Sequence, residues 1–283
     1  MSLPASFNSI KRKIAIFIIC GCLVMMTACS PLDKIISVFK DDGSGYVFKI
    51  SIASDPKTLD PQLASDPSSV AVARNMFVGL LKTLPDGSLA PAAAKDYTIS
   101  SDGLVYTFTI DSRYKWRAAG GYTADLTARD FVFGFQRLFD PLTGSPHAKD
   151  YFCINNAQLV NSGELEPHEI GVRAVDDETL EITLEYPNAA FLSLLTCLPA
   201  SPCNQEFFES CGGKYGLEAE AIASNGPFYA RFWLHDPYGK DNYVRLRRND
   251  DYSAVTRVYP SGVNFLVEKN DSVRLTDFAA MFC

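Results

Sequence analysis

The sequence predicts a mixed α/β (α+β) fold, because strand patterns occur in clusters and amphipathic helix patterns lie between them. The stretch "VYTFTI" (105–110) alternates apolar and polar residues as a strand does, whereas "TARDFVFGFQRLFDP" (127–141) repeats apolar residues at helical spacing. The 283 residues are 47% hydrophobic and 12% aromatic, which is typical of a folded protein with a sizeable core.

The chain begins with the pattern of an export signal. Lys11, Arg12 and Lys13 precede a 15-residue apolar run that ends at Ala28, and this run is short for a membrane span. The four residues Met26-Thr27-Ala28-Cys29 resemble a bacterial lipobox, with Met in place of the usual Leu. We therefore expect a signal peptide at 1–28, lipidation of Cys29 and a tether over 29–45; an uncleaved anchor helix is the alternative.

The part of the chain after residue 28 is acidic. It holds 23 basic and 33 acidic residues, a formal net charge of −10. An acidic surface disfavours nucleic acid and has no general attraction to anionic lipid, so we expect no nucleic-acid partner.

The first elements of the body follow from local patterns. The stretch "YVFKISIA" (46–53) is rich in β-branched and aromatic residues and predicts a strand, and the proline-rich 54–69 predicts an extended loop. Ser69 is a candidate N-cap for a helix over 70–83. The apolar residues of that helix would be Val72, Met76, Phe77, Leu80 and Leu81.

Later segments predict one further helix and two strand pairs. Thr127 and Asp130 have the spacing of a capping box, and Phe131, Phe135 and Leu138 share one helix face. Residues 172–185 predict a hairpin with Asp176 and Asp177 at its tip. The stretches 228–234 and 242–248 predict another strand pair near the end.

Five cysteines lie beyond the predicted lipid site, an odd number. No pair has Cys-x-x-Cys spacing and no histidine lies at zinc-site distance. Buried free thiols are the main interpretation, while a Cys197–Cys203 or Cys203–Cys211 disulfide stays open because exported proteins can hold disulfides. The five are Cys153, Cys197, Cys203, Cys211 and Cys283.

Six stretches of the sequence, taken in order, resemble the family of extracytoplasmic oligopeptide- and dipeptide-binding proteins of ABC importers. The resemblance runs from about residue 46 to about residue 270, with a longer link than usual at "RAAGGYTADL" (117–126). The pieces are "TLDPQLA", "NMFVGLLKTLPDGSLAPAAAKDYTISSDGLVYTFTI", "KWRAAGGYTADLTARDFVFGFQRLFDPLTGSPHA", "GVRAVDDETLEITLEYPNAAF", "SNGPFYARFWL" and "RNDDY".

The resemblance implies a lobe of the periplasmic-binding-protein type II fold with a smaller domain inserted. The first lobe would take 46–77 and 205–270, the inserted domain 78–204, and 271–283 would be a truncated end. Because the family continues into a second lobe that closes over the ligand, the chain is expected to be a front half with the second lobe missing and weak peptide affinity.

The resemblance also implies which residues face the ligand. By position, the segment that pairs with the peptide backbone is Ser65, Asp66 and Pro67, although Pro67 has no N–H to donate. His147 stands in "SPHA" where the family commonly has tyrosine, and a solvent-exposed loop histidine is the alternative. A plain connecting loop is the alternative for 65–67.

No pattern points to an enzyme, a metal or a cofactor. The sequence has no nucleophile elbow, zinc-protease helix or phosphate loop, and Asp176-Asp177-Glu178 fits a solvated turn. The expected function is a lipid-anchored receptor that binds oligopeptides and delivers them to ABC permease subunits at the outer face of the cell membrane. Alternatives are a receptor for nickel, haem or an oligosaccharide on the same scaffold, and an exported structural or signalling lipoprotein that binds a protein partner.

Overall fold

The computed structural model describes residues 46–238, 241–270 and 272–273. The predicted signal peptide (1–28), the lipid site Cys29, the tether (29–45) and most of the predicted end segment (271–283) lie outside the described residues. Within the described part, none of the helices has the length and apolar character needed to cross a membrane.

The first and last strands of the described chain lie in a four-stranded sheet in the order β1-β13-β12-β11, in which β1 and β13 are parallel and the other pairs antiparallel. The strands predicted at 46–53, 228–234 and 242–248 are all present in it. Its strands are β1 (Val47–Ile52), β11 (Phe228–Leu234), β12 (Tyr243–Arg248) and β13 (Gly262–Val267).

A second four-stranded sheet is antiparallel throughout, in the order β4-β5-β9-β8. It contains the predicted hairpin, with Leu180, Ile182 and Leu184 buried and Asp176 at the exposed tip. The Asp176 carboxylate accepts the N–H groups of Glu178 and Thr179, so this acidic cluster is a solvated turn as predicted. The strands are β4 (Ala94–Ile99), β5 (Val105–Ile110), β8 (Val172–Ala174) and β9 (Thr179–Thr183).

Two small sheets complete the strand pairing. A turn at "PDGS" (85–88) joins β2 to β3, with Gly87 at a φ of 84°. The long link at 117–126 leaves β6 and returns as β7, and β10 pairs with the other edge of β6. The strands are β2 (Leu81–Thr83), β3 (Leu89–Pro91), β6 (Lys115–Ala118), β7 (Thr123–Asp125) and β10 (Ala223–Ser224).

The helices are short apart from α2, where the predicted capping box is present. Asp130 Oδ2 accepts the Thr127 N–H at 2.7 Å, and Phe131, Phe135 and Leu138 are buried as predicted. The helices are α1 (Pro67–Ala73), α2 (Ala128–Phe139), α3 (Ala157–Ser162), α4 (Phe191–Leu194), α5 (Gln205–Ser210) and α6 (Asp250–Val255).

The predicted helix over 70–83 is wrong at both ends. Helix α1 begins at Pro67, its N-cap is Asp66 and not Ser69, and it ends at Ala73. Beyond it, the Asn225 side chain pairs with both the N–H and the C=O of Val78, at 3.0 and 2.8 Å. Asn225 thus pairs with backbone groups of Val78 that a longer helix would have used. The apolar spacing therefore predicted correctly which residues are buried, but it wrongly predicted that the helix continues.

The buried side chains form one continuous cluster that extends across both predicted domains. Trp116, Phe131 and Phe135 lie within it, and Trp233 packs against it half-buried. The boundaries proposed for the first lobe and the inserted domain stay a prediction.

The start of α1 gives a pH-dependent prediction for Asp66. Its carboxylate accepts the Ser69 N–H at 2.9 Å. Partial burial alone would raise the pKa of Asp66, but hydrogen bonds from Ser69 and Lys57 lower it below its ordinary value. Asp66→Ala should therefore lower the free energy of unfolding near pH 7 by about 1 kcal/mol.

This loss should shrink in acid. Since the folded-state pKa is depressed, the charge contributes stability above the ordinary carboxylate pKa and loses it as the pH falls through the folded-state value. Urea unfolding across pH 2–7 checks this, with Asp66→Asn as the control that keeps a capping oxygen without the charge. An Asp66→Ala loss that does not change with pH would contradict the prediction.

Candidate ligand-facing site

The candidate ligand-facing residues follow a tight turn at Asp60. The Asp60 carbonyl accepts the N–H groups of Leu63 and Ala64, at 3.1 and 2.8 Å. Ser65 and Pro67 are exposed after this turn, and Asp66 between them is half-buried. The backbone of Asp66 is extended, with φ −81° and ψ 152°, whereas Pro67 is the first residue of α1.

In this conformation the three predicted residues have different roles. The Asp66 side chain is committed to the helix cap. Pro67 sits where a helix leaves its first N–H groups unpaired, so its missing donor costs nothing there. The extended backbone therefore ends at Asp66. The pairing of this segment with a peptide stays a prediction.

His147 lies against the same segment. Its Nε2 is 3.0 Å from the Ala64 carbonyl oxygen, and the Ser145 hydroxyl donates to the Gln62 carbonyl at 2.6 Å. His147 is half-buried, and its role as a ligand contact stays a prediction. The structure thus brings His147 to the residue that precedes Ser65, while His168 and His235 are exposed elsewhere.

A buried ion pair lies under this turn. Arg137 Nη2 donates to Asp60 Oδ2 at 2.5 Å and Nη1 to Asp60 Oδ1 at 3.2 Å. The two side chains are only 6% and 1% exposed. The Gln62 amide accepts from Arg137 at 2.8 Å and donates to the Ser201 carbonyl at 2.9 Å. Helix α2, the Asp60 turn and the 199–203 segment are therefore joined through one guanidinium group.

Aromatic rings and a thiol enclose the same guanidinium. Its carbon lies 4.2 Å from the Phe208 ring centre and 5.1 Å from that of Tyr215, which is cation–π distance. Burial would lower the pKa of Arg137, but Asp60 raises it above its ordinary value, so the ion pair stays charged. Burial also raises the pKa of the Cys203 thiol to about 12, and this thiol is neutral at pH 7.

Two glycines allow the close approaches around the ion pair. Gly216 has a φ of 76°, and a Cβ there would lie 2.6 Å from the Asp60 nitrogen. A Cβ on Gly134 would lie 2.6 Å from the Ser201 carbonyl oxygen. Larger residues at these positions would push the Asp60 turn or the 199–203 segment away from α2.

Sequence reasoning missed this network, although its parts were visible. Asp60 and Gln62 stand in "TLDPQLA" and Arg137 in "FGFQRLFDP", and both stretches belong to the resemblance. The available signal was an arginine on the apolar face of a strongly amphipathic helix, since a charge there needs a partner. Nothing local identified Asp60 as that partner, 77 residues away.

The described cysteines are all free thiols. Cys153 and Cys203 are buried as predicted, whereas Cys197 and Cys211 are half-buried, and neither the Cys197–Cys203 nor the Cys203–Cys211 disulfide is formed. Cys283 lies outside the described residues. Within the described part of the chain, no group of three His, Cys, Asp or Glu side chains has the geometry to hold a metal ion.

Comparison with known proteins assigns this fold to a class, that of solute-binding proteins. Residues 88–280 match the model of the bacterial extracellular solute-binding proteins, family 5, middle region. The chain belongs to this family.

Individual relatives agree with the family assignment. The oligopeptide-binding protein OppA of Bacillus subtilis is 30% identical over 242 residues, 85% of this chain and 43% of the relative. The probable deoxycholate-binding periplasmic protein YgiS of Escherichia coli is 31% identical, over 79% of this chain and 40% of its own.

The solved substrate-binding domain of an oligopeptide ABC transporter from Bacillus anthracis has a TM-score of 0.75 at 33% identity. The match covers 84% of this chain and 44% of that chain. This chain therefore has the fold predicted from the resemblance and spans less than half the length of the relatives it matches.

The buried ion pair gives a stability prediction. Arg137→Met should lower the free energy of unfolding by about 3–5 kcal/mol, because it leaves the Asp60 carboxylate buried without a counter-charge. Asp60→Asn should also lower the free energy of unfolding, because it leaves the Arg137 guanidinium buried without a counter-charge. The double variant should cost at least about 1 kcal/mol less than the sum of the two. Urea unfolding of the four proteins measures the coupling, and strictly additive losses would contradict a direct interaction.

Proposed function

We propose that this chain is the ligand-binding part of a bacterial peptide importer, anchored by a lipid on Cys29 at the outer face of the cell membrane. The match to oligopeptide-binding proteins over 85% of the chain carries the proposal. In this role the protein binds peptides and delivers them to ABC permease subunits, and it acts by binding rather than by catalysis. Ser65, Asp66 and His147 are the proposed peptide contacts.

The chemistry of these residues suits peptides of varied sequence. The N–H and C=O groups of Ser65 have no hydrogen-bond partner among the described residues, whereas the Ala64 and Asp66 carbonyls are already used. The Ser65 groups can therefore pair with the backbone of an extended peptide, which every peptide offers regardless of its side chains. The His147 ring, whose Nε2 lies at the Ala64 carbonyl, adds a flat surface and a second ring nitrogen that can hydrogen-bond. Side-chain specificity would then come from the opposite wall of a cleft.

One wall alone gives little affinity. A binding site gains most of its free energy when it encloses the ligand and excludes water, and Ser65 and Pro67 are exposed in the described part of the chain. We therefore propose that this chain, expressed as it stands, binds peptides weakly.

A second candidate ligand is an amphipathic solute of the bile-acid type. The similarity to the protein named as probably deoxycholate-binding favours it, since one scaffold of this family serves different ligands. A titration with deoxycholate below its micellar concentration, beside the peptide titration, separates the two candidates.

Peptide binding gives the first functional prediction. Isothermal titration of the chain with tri- to pentapeptides should give dissociation constants well above the micromolar range. Ligand-observed NMR should detect the weak binding, and His147→Ala should reduce it several-fold. His147→Tyr should retain more of it, because it restores a flat aromatic side chain.

His168→Ala is the matched control, since His168 is an exposed histidine away from the site. Micromolar binding by the chain as it stands would contradict weak affinity. Equal binding by the His147→Ala and His168→Ala variants would contradict the site.

The lipid anchor gives the second prediction. Cys29→Ala should block processing, because the lipid-dependent peptidase cuts only before a modified cysteine, and the precursor should accumulate or be released. Metabolic labelling with a palmitate analogue and membrane fractionation measure this outcome. Cys22→Ala, a cysteine of the apolar signal core, is the control and should process normally. A Cys29→Ala protein that is still processed and membrane-bound would exclude the proposed anchor.

A further inference from the structure

A groove separate from the candidate peptide site lies between the end of α1 and strand β2. We call it the α1–β2 groove. Its volume is about 420 Å³, within the range of small-molecule sites. Its lining includes Arg74, Phe77, Lys82, Tyr114, Cys197 and Tyr252, and none of the predicted peptide contacts lines it.

The floor of the groove is made of aromatic side chains that are largely buried. Phe77 and Tyr114 are 6% and 4% exposed, and the Tyr114 and Tyr252 rings meet edge to face with centres 5.6 Å apart. These side chains belong to the continuous core or pack against it, so the floor is already formed without a ligand. It offers a surface against which a flat or branched apolar body can pack.

The charged side chains that line the groove are both cations. Arg74 and Lys82 are exposed at its rim, and no aspartate or glutamate lines it. Neither cation has an ion-pair partner among the described residues, whereas Lys95, for example, pairs with Glu178. The groove is therefore a locally positive site in a chain whose net charge is −7. Its charge does not follow from the average charge of the chain.

We propose that the α1–β2 groove binds small carboxylates that carry a compact apolar body, such as arylalkanoates. The carboxylate would lie at the rim between Arg74 and Lys82, where a guanidinium can donate two parallel hydrogen bonds to it. The apolar body would pack on Phe77, Tyr114 and Tyr252. The groove would act as an accessory site, and its occupancy does not depend on whether the chain binds peptides.

Cys197 offers a way to locate the ligand. It lines the groove and is half-buried, and Cys211 is half-buried but does not line the groove. A ligand in the groove should slow alkylation of Cys197 by iodoacetamide and leave Cys211 unaffected. Peptide mass spectrometry of the full-length chain distinguishes the two thiols.

The experiment uses 3-phenylpropionate as the probe and 3-phenylpropanamide as its uncharged analogue. The carboxylate should bind about tenfold more tightly than the amide, because only the carboxylate forms charge-assisted hydrogen bonds. Arg74→Gln/Lys82→Gln should remove this preference and the protection of Cys197. Both positions are exposed, so the fold should be retained, which the thermal unfolding midpoint checks.

The matched control is Lys49→Gln/Arg257→Gln, which removes the same charge from exposed positions outside the groove. It should keep the preference for the carboxylate. A second variant, Thr83→Trp, fills the mouth of the groove from β2 and should weaken binding of both probes. Equal binding of carboxylate and amide, equal loss in both double variants, or protection of Cys211 as well as Cys197 would each overturn the proposal.

Discussion

The buried pair of Asp60 and Arg137 is the interaction on which this structure depends. A guanidinium and a carboxylate that are almost completely buried must stay together, since either one alone in the core would cost several kcal/mol. The pair joins a turn near the start of the described chain to the last turn of α2. Arg137 also contacts Gln62, Cys203, Phe208 and Tyr215. Segments far apart in sequence are thereby held in one arrangement.

The candidate peptide site is a consequence of that arrangement. The Asp60 turn directs the chain outward at Ser65, and α1 begins two residues later with its cap at Asp66. The loop after α2 returns to the same turn through Ser145 and His147. A surface made only of loops would be mobile, but this one lies on a buried polar network whose members are fixed by several bonds each. The exposed main chain at 65–66 is therefore held in place before any ligand arrives.

The α1–β2 groove has a different origin. It exists because the chain leaves helical geometry after Ala73 and enters a strand at Leu81, which opens a space between these elements and the 196–198 segment. Asn225 fixes the intervening backbone at Val78. One departure from the local helical pattern thus creates a concave surface on the side of α1 away from the Asp66 cap. The candidate peptide site lies at the N-terminal end of α1, and the α1–β2 groove lies at its C-terminal end.

The sequence by itself determined the mixed α/β class, the α2 capping box, the hairpin at 172–185 and most core positions, because each follows from local spacing or local hydrogen bonds. It also carried the resemblance that led to the family. The true bounds of α1, the partner of Arg137 and the contact of His147 with Ala64 were decided only by the tertiary structure. In each case the deciding group lies far away in sequence: Asn225 for Val78, Asp60 for Arg137 and Ala64 for His147. Local periodicity reports which residues avoid water, but not which distant backbone group or charge will satisfy them.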